Sequence, residues 1–175
     1  MKTKLLLLAI LVVVIVVSVT TMVLLLTSLT NASGKFVSTS ALDGELGGNW
    51  VVVNEGRISD PTGVSPIIEM LSNSSTETLY SSYHSSNANL TILVFQYQSA
   101  SHLPEVVNSI AKIYRVLNWS IKNVTGEVNG ICVSSAHYQY LYAYYRNYII
   151  LVVLNGTVTP SESMEIAVLQ QQALG

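Results

Sequence analysis

Charge is scarce in this sequence. Asp, Glu, Lys and Arg make up 10% of its 175 residues, against roughly a quarter in ordinary soluble domains. Basic charge is scarcer still once its position is considered. Lys2 and Lys4 sit at the extreme N-terminus. Six Lys/Arg remain beyond them against all ten acids, a balance of −4. No basic patch exists, which excludes nucleic acid as a partner. Cysteine is nearly absent. The single Cys132 rules out an intramolecular disulfide. It lies in the apolar stretch Ile131-Cys132-Val133, where it reads as a small buried hydrophobe.

Catalytic signatures are also missing. The chain has no Gly-x-Ser-x-Gly elbow, no Gly-rich phosphate loop and no His-Glu-x-x-His. Asp43, Glu45, Glu55 and Asp60 gather loosely in sequence, but not at the spacing of a calcium loop. Cys132, His137 and the upstream His84 resemble the ligand pattern of blue-copper proteins. The resemblance stops there, because no Met follows His137 at short range. The expectation is a non-enzyme with no metal and no cofactor.

What the chain does have is one long hydrophobic run. Leu5 to Leu26 holds no charge, and Ser18, Thr20 and Thr21 are its only polar members. At about 1.5 Å per residue it reaches about 33 Å, enough for a bilayer core of about 30 Å. Lys2 and Lys4 flank its N-terminal end, so the positive-inside rule places the N-terminus in the cytoplasm. Everything after the anchor is then extracytoplasmic. A cleaved signal peptide is the rival reading, but its apolar region would be shorter. A short basic leader before a long apolar helix is also similar to type IV pilins. Here Lys4 precedes Leu5 where a pilin leader ends in Gly or Ala, and the acidic residue just inside the apolar run is missing.

The chain is rich in neutral polar residues. Six Asn-X-Ser/Thr triplets occur, at Asn31, Asn73, Asn89, Asn118, Asn123 and Asn155. None has Pro in the middle, and all follow the anchor. They are expected surface glycosylation sites of an exported protein.

The predicted organisation is an anchor with its cytoplasmic stub at 1–29, a flexible linker at 30–48, and an α+β domain at 49–175. The domain opens with a strand at Trp50–Val53. Ser65-Pro66 starts a short helix over Ile67 and Leu71. Strands follow at 78–83 and 90–98. The second alternates, with Leu93, Phe95 and Tyr97 on one face and Ile92 and Val94 on the other. A helix at 104–117 carries the stripe Val106, Ile110, Ile113, Tyr114 and Leu117. Asn129-Gly130 predicts a tight type I′ hairpin turn, and Arg146-Asn147 predicts a second turn between 138–145 and 148–154. Ile149 to Leu154 is apolar on both faces and reads as a central strand. Thr159-Pro160-Ser161-Glu162 is a capping box that opens a terminal helix.

The order suggests a weak strand-strand-helix repeat, 78–117 and 138–174. The expected architecture is two-layered: one antiparallel sheet with both main helices on one face. Tyr138, Tyr140, Tyr142 and Tyr144 alternate onto a single face. They either pack beneath the helices or form an open surface for a protein, a glycan or a neighbouring copy. The expected role is a membrane-anchored accessory or interaction domain. Its partners would be the bilayer, through Leu5 to Leu26, and a membrane or surface protein. The alternatives are a pilus-like or viral structural glycoprotein and a small-ligand sensor or carrier domain.

Overall fold

The computed structural model describes residues 34–135, 137–156 and 159–175. The run Leu5 to Leu26 and the sequon Asn31 lie outside the described residues. Among the described residues no helix is long and apolar enough to cross a membrane.

The elements run α1 Thr39–Leu46, β1 Val51–Arg57, α2 Pro66–Ser74, β2 Glu77–His84, β3 Ala88–Gln96, α3 Leu103–Val116, β4 Ser120–Val124, β5 Asn129–Ser134, β6 Tyr138–Tyr145, β7 Tyr148–Gly156 and α4 Pro160–Leu174. All seven strands form one sheet in the order β1-β2-β3-β7-β6-β5-β4. Every pairing is antiparallel. Strand β7 sits at the centre, as its two apolar faces require, and Ile149, Ile150 and Val152 are fully buried.

The two main helices do not share a face, which corrects the two-layer expectation. Strands β3 and β7 are apolar on both sides, so each side needs its own cover. On one side α2 and α3 pack on Leu93, Phe95, Tyr140, Tyr142 and Leu151. On the other, α1 and α4 pack on Ile92, Val94, Leu141, Ile150 and Val152. The result is a mixed α+β fold with helices above and below one antiparallel sheet. The units β2-β3-α3 and β6-β7-α4 repeat in order only, because their helices end on opposite faces.

The expected linker is also corrected over much of its length. Phe36, Val37 and Leu42 are core residues. The Ser38 hydroxyl caps α1 by accepting from the Ala41 N–H at 3.2 Å. Gln170 of α4, fully buried, clamps the segment: its Oε1 accepts from the Val37 N–H at 3.2 Å and its Nε2 donates to the Lys35 carbonyl at 2.8 Å. The Tyr83 hydroxyl donates to the Val37 carbonyl at 2.8 Å. A few apolar residues among many small ones were enough to seat this stretch.

Asn129-Gly130 is not a turn. Both residues lie inside β5, with Gly130 opposite Val124 and Ala143. The glycine serves close approach instead, since a Cβ there would fall 1.9 Å from the Tyr142 carbonyl oxygen. The turn lies at 125–128, where Gly126 supplies the positive φ. Arg146-Asn147 is a turn as expected, with Arg146 at φ 50°.

Candidate functional site

The tyrosine row of β6 is built as expected and lies beneath α3. Tyr140 and Tyr142 are 4% and 2% exposed, so of the two arrangements open to this row its centre takes the packed one and forms no open binding surface. Tyr138 and Tyr144, at its ends, are half-buried. Tyr114 of α3 reaches down to it, its hydroxyl 2.8 Å from that of Tyr142. The rings of Tyr114 and Tyr140 stack at 6.3 Å, and Trp119 closes the group at 5.3 Å from Tyr114. Each ring adds apolar area while the hydroxyl pair satisfies both polar ends in the core. Burial pushes the Tyr114 hydroxyl up to about 12 and raises Tyr140 and Tyr142 further. These groups stay protonated at physiological pH and act as packing.

The residues considered for chemistry do not converge. Cys132 is buried on the α1–α4 side, where burial pushes its thiol up. His84 and His137 are exposed, and His84 Nδ1 lies 2.9 Å from the Asn89 side-chain oxygen. Asp43 accepts from the Trp50 N–H at 2.6 Å, and Asp60 accepts from the Thr62 N–H at 2.9 Å. Each carboxylate thus serves its own turn. Ser109 and Lys112 have Ser-x-x-Lys spacing on the outer surface of α3, but the Ser109 hydroxyl donates to the Glu105 carbonyl at 2.9 Å. Among the described residues no three His, Cys, Asp or Glu side chains gather as a metal site.

The sequons are surface positions. Asn73, Asn89, Asn118 and Asn123 are exposed and Asn155 is half-buried. Asn89 and Asn155 face each other directly across β3 and β7.

Two grooves remain. One, of about 370 Å³, lies between α2 and α3 and is lined by Met70, Tyr97, His102 and Val106. The other, of about 410 Å³, lies where α4, the 125–128 turn and the end of α1 meet. Its floor is apolar: Val128, Met164, Val168 and Leu169. Glu45, Glu127 and Glu165 stand around it, and no Lys or Arg lines it. Glu45 also lies in the last turn of α1, whose carbonyl end adds negative potential and which carries no basic residue there. The local signal was the apolar surplus of α4: Ile166 and Ala167 fill the core, leaving Met164, Val168 and Leu169 only partly covered.

No protein-family model matches the sequence, and no curated protein sequence does. The fold does have a solved relative. The crystal structure of the extracellular domain of PknH from Mycobacterium tuberculosis is similar, with a TM-score of 0.58 at 12% identity. The likeness covers 81% of this chain and 93% of that one. What the two share is the fold.

Proposed function

We propose that the chain is a membrane-tethered, extracytoplasmic, non-catalytic binding domain, an accessory or interaction module of a surface assembly. The likeness to an extracellular domain, over 81% of this chain and 93% of that one, carries this reading. Two features of the sequence support it. The apolar run Leu5 to Leu26 is long enough to hold the domain at a bilayer. The sequons, candidate glycosylation sites, fall at surface positions on five of the described residues. Cys132 is buried in the core, Asp43 and Asp60 serve turns, and the grooves suit binding.

The test is a gentle-detergent pull-down of the native protein from its own membranes, with intact-mass analysis of the bait. A bait that retains Met1 to Leu29, carries sugar and brings a defined set of membrane proteins supports the reading. A bait that begins beyond the apolar run and is found free in the medium overturns it.

A further inference from the structure

The carboxylate-rimmed groove needs a cationic, apolar occupant, and the chain itself displays one on its opposite face. Helix α3 buries Leu103, Val107, Ile110, Ala111 and Tyr114. That leaves Ile113 39% and Val116 70% exposed, large for apolar side chains. Lys112 and Arg115 are exposed beside them. Spacings of three and four residues put Lys112, Arg115 and Val116 together on the helix surface, with Ile113 one turn from Val116. The stripe is therefore apolar and doubly positive. It was expected to be core at Ile113, and the observed roll of the helix turns it outward instead.

We propose that copies of this chain associate head to tail, the Lys112–Val116 stripe of one copy docking in the Glu45–Glu127–Glu165 groove of the next. The two surfaces complement each other in charge and in apolar character. Both ion pairs among the described residues converge on Glu77, from Lys35 and Arg57, so the three groove carboxylates and the two α3 cations have no salt-bridge partner within the described fold. The surfaces lie on opposite sides of the sheet, so the contact is heterologous. A lipid surface is a poor occupant of the groove, because anionic headgroups would meet three carboxylates.

The inference rests on the proposed tethering only for local concentration. Self-association of the detergent-purified full chain is measured without it, so failure of one reading is separable from failure of the other. The test uses sedimentation velocity on the full chain over a range of concentrations. Every protein carries Ser120→Ala, which removes the Asn118 sequon next to the stripe. One variant adds Glu45→Lys with Glu127→Lys, and the other adds Lys112→Glu with Arg115→Glu. All four positions are exposed, and matching thermal unfolding shows that both variants fold. The expected result is concentration-dependent growth of the parent, weakened by salt. Each variant alone should associate at least about tenfold more weakly, since like charges now face each other. An equimolar mixture should regain association, because each helix stripe then meets a groove of opposite sign. A parent that stays monomeric, variants that associate as the parent does, or a mixture that stays dissociated would each overturn the proposal.

Discussion

The two faces of the sheet are closed by different means. On the α2–α3 side, aromatic rings interlock and a Tyr114–Tyr142 hydroxyl pair fixes the helix over the strands. On the α1–α4 side the core is mostly aliphatic, with Phe36, Trp50 and Tyr83 towards the N-terminal segment. There Gln170 and the Tyr83 hydroxyl hold the N-terminal segment by its backbone. The aromatic side reaches far from the sheet and closes its centre. The α1–α4 side leaves a groove between α4 and the 125–128 turn, and the α2–α3 side leaves one between its two helices.

Mutations can break this contrast, and the largest effects should come from the strand layer. Tyr142→Ala removes a buried ring and orphans the Tyr114 hydroxyl, and should cost about 3–5 kcal/mol. Leu141→Ala, one residue away on the other face and fully buried, should cost about 2–5 kcal/mol. Urea unfolding measures both, and equal costs would argue against a special aromatic lock. A finer cut is Tyr142→Phe, which keeps the ring. It should cost about 1–3 kcal/mol by leaving Tyr114 without its partner. Gln170→Ala should cost a similar amount, about 1–3 kcal/mol, by exposing two buried backbone groups to no partner. Hydrogen exchange should then locate the loosening at residues 35–46.

Alkaline pH probes both faces at once. Tyr83 and Tyr114, one on each side, have hydroxyls pushed from 10.0 to about 12, chiefly by burial. A raised folded value means the native state holds its proton longer than the unfolded chain does. Their contribution is intact below pH 10 and is lost as pH rises toward 12. The melting temperature should fall steeply across that window, together with the rise of phenolate absorbance. Ionisation near pH 10 with no loss of stability would contradict the burial of these rings. The smallest effect is expected at the groove. Val168→Ser, at a partly buried position on its floor, should change stability by less than about 1 kcal/mol.

Local signals were legible where one residue has one job. Thr159 and Glu162 form the predicted capping box, Ser65 caps α2 before Pro66, and the apolar 149–154 run lies at the sheet's centre. Gly130 misled because glycine serves two needs, positive φ in a turn and close approach between strands, and only the fold shows which. The 30–48 stretch misled because small residues outnumber Phe36, Val37 and Leu42, although three well-placed apolar groups suffice to dock it. The helix stripe of α3 was predicted about one residue out of phase, which placed Ile113 inside and hid the exposed patch. Of the groove only its apolar floor left a local signal, in α4, and its carboxylate rim left none. Glu45, Glu127 and Glu165 come from three distant segments, and no local spacing joins them. The side of the sheet taken by each helix depends on crossover direction, which periodicity does not record.

The proposed extracytoplasmic placement of the domain can be tested on intact cells. A bulky amine reagent that does not cross membranes is added to living cells, and modified lysines are read by mass spectrometry. Lys122, exposed on the edge strand β4, should be labelled in intact cells, while Lys2 and Lys4 should be labelled only after lysis. Labelling of Lys122 that also waits for lysis would contradict the account.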